Sequence, residues 1–378
     1  MAIVDTNVTE DQRALLDVSS RFMEQACPLT LVRDDAARDG AFTAQYRRQA
    51  AELGWYSMLV PEALGGGCLS GNGVLDAALI AYKRGALLQP ESFVGTNVVA
   101  YALGHAGSDE LRQKVLPALV SGETSASWAV ASVSSAGRLE GGVSAQPTGD
   151  GGLALSGSKT AVQDVEASSW LLVTCSSPEG TAQVLVAADA PGVTVTQLDS
   201  LDLSRRFAEV RFDGAAVPAS AVIGTPGAIG QLIDEQLAIA VTLIAAESVG
   251  AMDHEFEMTL QYAKDRIAFG RPIGSFQAIK HVLADTSLSV EMCKAIVLAA
   301  ARSVGSNDGN GAQAASAAKA LVGDTAIELA QNCFQIFGGI GYTWEHDQHL
   351  YLRRLTTDAG LFGDASWHRE HICQLAGL

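Results

Sequence analysis

The 378-residue sequence predicts a multi-domain α+β fold, with a helical domain, a small β-barrel or sandwich, and a helical bundle following one another along the chain. Three observations predict it. Apolar residues recur at helical spacing up to about Ser121, short β-rich runs between glycine and polar turns take over beyond Glu123, and long apolar helical runs return after Gly230. With 48% hydrophobic residues, a chain of this length can bury a large core divided over two or three domains. The expected divisions are 1–123, 124–226 and 227–378.

The first helical domain begins near Glu10 and is interrupted by the stretch from Leu59 to Gly67 (LVPEALGGG), where a proline and three glycines punctuate the pattern. The β-rich runs are clearest at 170–175, 182–187 and 192–196, and the β-domain extends to about Ile223. The glycine- and proline-containing stretch from Gly224 to Gly230 reads as the junction. Four helical segments are then expected over 231–265, 276–304, 312–337 and 346–378, as a four-helix bundle.

There are 25 basic and 42 acidic side chains, a net charge of −17, so the surface repels nucleic acid and anionic membranes. Charged residues break the apolar runs well before a membrane span is reached. The N-terminus lacks a basic stretch followed by a hydrophobic one. A soluble, cytoplasmic protein is expected. The six cysteines show no Cys-x-x-Cys spacing and sit mostly among apolar neighbours, as reduced core thiols do, so neither a metal site nor a disulfide is expected.

The run from Tyr262 to Gln277 (YAKDRIAFGRPIGSFQ) sets a cation, an aromatic, glycines and an amide at fixed intervals around a helix break. Alone, it could be a helix end whose glycine takes the left-handed cap position. Downstream, Gln335 to Thr343 (QIFGGIGYT) forms a second glycine-rich corner whose backbone amides could receive another part of the same polyanion. Together these corners resemble those of the acyl-CoA dehydrogenase family, whose domain order is also helices, β-domain, helices. The resemblance therefore extends over almost the whole chain. It implies FAD as cofactor, held at its pyrophosphate and adenosine half by Arg266, Phe269, Gly270, Gln277, Gln335, Gly338 and Gly339, with the isoalloxazine ring lying in a neighbouring subunit. A guanidinium suits that task because its planar fork can give paired hydrogen bonds to phosphate oxygens without losing its charge. The resemblance also implies an acyl-CoA substrate and an electron-transfer flavoprotein as acceptor.

The family's reaction removes a proton next to the thioester carbonyl and passes hydride from the next carbon to flavin, so it needs a carboxylate base. Counted without gaps from Gly338 and Gly339, the family's glutamate position falls at Phe362, which cannot accept a proton. Asp364 lies two positions off on a shorter side chain. The alternative position, on the helix before the arginine corner, falls at Ala240. Glu247 lies seven residues further, on the same face and about 10 Å along the axis. Its apolar neighbours could raise its pKa toward that of a base, which makes Glu247 the catalytic candidate; equally, it could be a buried structural glutamate bonded to an arginine or a backbone amide.

The β-domain also departs from the family. Where relatives carry flavin-binding turns, this chain has 131–137 (ASVSSAG) and 159–164 (KTAVQD), leaving Ser132, Ser134 and Gln163 as flavin contacts or as ordinary turn residues. His346 and His349 lack a third ligand at metal spacing and read as packing or subunit contact. Arg353, Arg354, His368 and Arg369 form a basic cluster in the sequence, either a solvated helix face or a contact for CoA phosphate or a partner's carboxylates. Intact corners beside altered flavin and base positions imply unequal subunits, as in the bacterial heteromeric enzymes of steroid side-chain degradation that the segments at Trp344 and Leu361 resemble. The expectation is one subunit of an FAD-dependent acyl-CoA dehydrogenase acting on a bulky acyl group with a second, related chain. The alternatives are a self-sufficient homotetramer using Glu247 and a non-catalytic subunit that completes its partner's FAD site.

Overall fold

The computed structural model describes residues 8–34, 40–90, 92–130, 141–149, 151–306 and 309–378. The N-terminal helices are α1 (Glu10–Ala26), α2 (Leu29–Arg33), α3 (Gly40–Glu52), α4 (Gly73–Ala86), α5 (Phe93–Ala106), α6 (Asp109–Lys114) and α7 (Leu116–Val120). Helix α1 starts at Thr9, whose side chain accepts from Gln12 N while the Gln12 side chain returns to Thr9 N. It buries Gln12, Leu16, Ser19 and Met23, the i, i+4, i+7, i+11 face. The 59–67 break is a short 3₁₀ turn closed by Gly65 at φ +85°.

The middle region contains β1 (Ala126–Ala129), β2 (Val143–Pro147), β3 (Leu153–Gln163), β4 (Trp170–Ser177), β5 (Gly180–Ala187), β6 (Val193–Leu198), β7 (Phe207–Val217) and β8 (Val222–Ile223). They form one sheet in the order β6-β7-β3-β2-β4-β5-β8, with β1 added parallel to β4. Val143, Leu155, Val173, Val184, Val210 and Phe212 fill its separate core. Alternation along β7, with Ala208, Val210 and Phe212 buried and Glu209 and Arg211 exposed, follows the two-residue pleat.

Three long helices follow, α8 (Gly230–Asp265), α9 (Gln277–Ser306) and α10 (Gly311–Phe337), with a small hairpin of β9 (Ile267–Ala268) and β10 (Arg271–Pro272) between the first two. The segment expected to be helical over 346–378 is two helices, α11 (Gln348–Gly360) and α12 (Ala365–Leu375). The break has a backbone cause: Phe362 and Gly363 have φ of +56° and +105°, and Asp364 caps the new helix by accepting from Trp367 N at 2.8 Å. Helices α4 and α8 cross at two glycines. A Cβ on Gly85 would lie 1.8 Å from Glu247 O, and one on Gly250 1.8 Å from Tyr82 O, so only glycine permits this approach. One apolar core runs through the N-terminal helices and the bundle, which fixes the two helical parts relative to each other.

Candidate active site

The two glycine-rich corners meet. Tyr262, four residues before Arg266, packs its ring against Phe337 at 4.8 Å, and its hydroxyl donates to Phe337 O at 3.5 Å. Phe337 directly precedes Gly338, so one contact ties both corners. Arg266, Gln277, Gln335 and Gly339 are exposed, and among the described residues Arg266 forms no ion pair. A Cβ at Gly270, Gly338 or Gly339 would meet nothing within 4 Å, and Gly270 and Gly338 have φ of +78° and +61°. Unspent donors on an open glycine surface fit a phosphate-bearing ligand. Phe269 is 96% exposed and Tyr342 79%, and Ile267 and Trp344 are exposed beside them. Both corners thus expose large apolar side chains.

The turn that should carry the base is filled instead. Phe362 stacks on Trp128 of β1, ring centroids 5.8 Å apart at 23°, while Trp128 Nε1 donates to Thr174 Oγ1 at 3.2 Å. The Phe362 carbonyl lies 3.0 Å from His368 Nε2, and His368 Nδ1 lies 3.1 Å from Ser316 Oγ. A carbonyl can only accept, so Nε2 carries the proton and Nδ1 accepts from the serine. Burial, reinforced by the charge of Lys319, pushes His368 down to about 3, which keeps the ring neutral. Asp364 is occupied as the α12 cap.

Glu247 sits at the centre of a buried ion cluster. Its Oε1 meets Arg84 Nε at 3.3 Å, its Oε2 meets Arg205 Nη2 at 2.6 Å, and Arg354 Nη1 lies 3.9 Å away. Arg205 also holds Asp358 at 2.7 Å, and Arg354 faces Asp202 at 3.5 Å. Burial by itself pushes Glu247 upward, but the guanidiniums of Arg205, Arg84 and Arg354 outweigh it and hold the carboxyl below its ordinary range. The expected rise toward a basic pKa is therefore reversed. The sequence shows one charge in an apolar helix, whereas the three arginines come from α4, α11 and the loop before β7. A 1% exposed carboxylate with both oxygens taken by arginines has the environment of the structural glutamate rather than of a proton acceptor.

The basic cluster expected near the C-terminus does not exist in three dimensions. Arg354 is buried in the ion cluster, Arg353 donates to Leu201 O, Arg369 pairs with Asp324 and His368 is neutral. Gln163 Oε1 accepts from Arg205 Nη1 at 3.2 Å, which spends it on the same cluster. Ser132 and Ser134 lie outside the described residues. His349 stacks on Trp344 at 5.0 Å, and no group of three metal-binding side chains occurs among the described residues. No described helix is long and apolar enough to cross a membrane. All six cysteines are free, and Cys27, Cys175, Cys293 and Cys333 are buried. Sequence reasoning missed Trp128, Arg205 and Asp358, because each lies outside both corner motifs and acquires its partner only on folding.

The order of helical domain, β-domain and helical bundle, with two joined glycine-rich corners on the bundle, sets the class of fold in which relatives are found. Residues 9–123 match the family model for the acyl-CoA dehydrogenase N-terminal domain, and residues 231–375 match that for the C-terminal domain. The chain belongs to the acyl-CoA dehydrogenase family, whose members are FAD-dependent oxidoreductases. Over 328 residues it is 32% identical to acyl-CoA dehydrogenase FadE34 of Mycobacterium tuberculosis, covering 85% of this chain and 40% of that one. Acyl-CoA dehydrogenase IpdE2 of Mycolicibacterium smegmatis is 36% identical over 192 residues, 48% of this chain and 55% of its own. The chain thus spans about half the length of these two relatives. Acyl-CoA dehydrogenase FadE27 of M. tuberculosis is 30% identical over 362 residues, covering 93% and 92% of the two chains. Among solved structures, the Tcur3481–Tcur3483 steroid ACAD superposes with a TM-score of 0.85 at 25% identity, covering 97% and 98%. The ChsE4–ChsE5 complex of M. tuberculosis gives 0.83 at 25%, covering 98% of each chain.

Proposed function

We propose that this chain is one subunit of an FAD-dependent acyl-CoA dehydrogenase that oxidises a CoA thioester to its 2,3-enoyl form together with a second, related chain. Its own part is to hold the phosphate end of a flavin whose ring and base belong to that partner. The observation that carries this reading is the turn at Phe362, where the position expected to hold a proton acceptor holds an aromatic ring stacked on Trp128. Exposed Arg266, Gln277, Gln335 and Gly339, inside an uncovered apolar rim, support the complementary half of the reading. Arg266 would take phosphate oxygens, Gln277 and Gln335 would hydrogen-bond the nucleotide, and Gly270, Gly338 and Gly339 would leave room for close approach. When bound, FAD supplies the hydride acceptor. The likeness to the Tcur3481–Tcur3483 steroid ACAD supports a bulky acyl group, and the family supports an electron-transfer flavoprotein as acceptor.

The test is to purify the chain alone and co-expressed with the product of an adjacent related gene, then measure flavin content and stoichiometry. The chain alone is expected to be colourless and inactive, and the pair to be yellow and active. Full FAD occupancy and turnover in the lone chain would overturn the proposal and return the self-sufficient reading.

A further inference from the structure

A cavity lies away from both corners. It opens between the Met58–Pro61 turn, helix α5, the first turns of α8, the end of α9 and residues 309–312, and its volume is about 540 Å³. That is within the range of small-molecule sites, which are mostly apolar with a few convergent polar groups. Its floor is apolar, formed by Met58, Val60, Val74, Ala238, Ile239 and Val304. On α8 it uses Gln231, Asp234, Glu235 and Ala238, an i, i+3, i+4, i+7 stripe. Gln236, Ala240, Leu243 and Glu247, buried on the same helix, are turned roughly 160° from that stripe at 100° per residue. The cavity is therefore separate from the ion cluster and the Phe362 turn.

Among the described residues its polar rim mainly accepts hydrogen bonds. The Tyr101 hydroxyl donates to Glu235 Oε2 at 2.9 Å, and Gln231 Nε2 donates to Glu235 Oε1 at 3.0 Å. His105 stacks on Tyr101 with centroids 4.0 Å apart, and its Nδ1 lies 2.9 Å from Tyr101 O. Because that carbonyl can only accept, Nδ1 bears the proton and Nε2 is left with its lone pair in the neutral ring. Asp234 is in no ion pair among the described residues. Desolvation holds its carboxyl above the ordinary range, with the His371 charge offsetting part of the rise and the Glu235 charge adding to it. Two carboxylates and an imidazole lone pair thus converge at one end of an apolar cleft.

We propose that this cleft binds a compact lipophilic amine, with its apolar body on the Ala238 floor and its ammonium between Asp234, Glu235 and His105. An ammonium offers three donors and a positive charge to two carboxylates that form no ion pair among the described residues. The stacked aromatic pair adds a face on which a cation can rest. A lipophilic carboxylate of the same shape brings only acceptors and a like charge.

Adamantan-1-amine, adamantan-1-ol and adamantane-1-carboxylate share one skeleton and differ only in that head group. Titration calorimetry on the purified chain is expected to give binding in the order amine, alcohol, carboxylate, with the amine at least tenfold tighter than the carboxylate. Asp234→Asn combined with Glu235→Gln should remove the preference for amine over alcohol while retaining alcohol binding. Ala238→Phe should weaken the amine and alcohol tenfold or more by filling the floor, and Ala312→Phe does the same from the opposite wall if the first variant fails to fold. Absence of amine binding overturns the proposal, as does carboxylate binding equal to the amine. Amine binding unchanged by both filling variants also overturns it, because the ligand would then be collecting on the acidic surface.

Discussion

Replacing Glu247 with glutamine removes one of three carboxylates, Glu247, Asp202 and Asp358, that face three buried arginines, Arg84, Arg205 and Arg354. The arginines remain 1%, 7% and 1% exposed, so water cannot take over the lost interaction. Breaking a buried pair by removing one partner costs about 3–5 kcal/mol, and the 2.6 Å contact to Arg205 and the 3.3 Å contact to Arg84 place this substitution within that range. Guanidinium unfolding followed by tryptophan fluorescence should show the loss, with little dependence on salt because the pairs are buried. The pH dependence has a definite sign. Glu247 titrates below its ordinary value of 4.5 in the folded state, so its contribution is complete above that value and is lost as pH falls through the folded pKa. The variant should therefore lose less stability than the parent on acidification. A Glu247→Gln protein that unfolds like the parent, but whose assembled enzyme no longer turns over, would refute the structural assignment and establish proton abstraction.

Glu255 is buried, accepts from Gln348 Nε2 at 2.8 Å, and is pushed up to about 8 by burial. Its folded pKa exceeds the unfolded one, so stability should decline as pH rises between about 4.5 and 8, and Glu255→Gln should flatten that decline in thermal melts recorded across the range. Arg266→Ala should weaken FAD retention in the assembled enzyme by about 10- to 100-fold, the loss of one charge-assisted contact, as read by flavin release on gel filtration. Arg266→Lys should recover part of it, because charge returns without the fork. Gly250→Ala places a methyl 1.8 Å from Tyr82 O, so helices α4 and α8 must separate. A destabilisation of about 1–3 kcal/mol or more is expected, measured by the guanidinium midpoint.

Much of the fold was legible because it rests on local periodicity. The runs at 170–175 and 182–187 lie within β4 and β5, the run at 192–196 starts one residue before β6, and the expected segments at 231–265, 276–304 and 312–337 correspond to α8, α9 and α10 with ends shifted by a few residues at most. The final helical pair was read as one segment because its break depends on Phe362 adopting a positive φ, which residue type does not announce. The corners were legible as motifs for a related reason: their glycines and arginine are grouped within a few residues, where chain geometry alone brings them near one another.

The sequence by itself determined the family, the three-part architecture and the absence of a carboxylate at position 362. Tertiary structure alone decided what the remaining charges do. Arg84, Arg205 and Arg354 reach Glu247 across 163, 42 and 107 positions, and those three contacts turn an upward pKa shift into a downward one. Likewise, Trp128 reaches Phe362 across 234 positions to stack on its ring, while His368, six positions on, bonds its carbonyl. Local patterns record what a residue prefers, whereas the field at a buried group is summed over neighbours that only folding assembles.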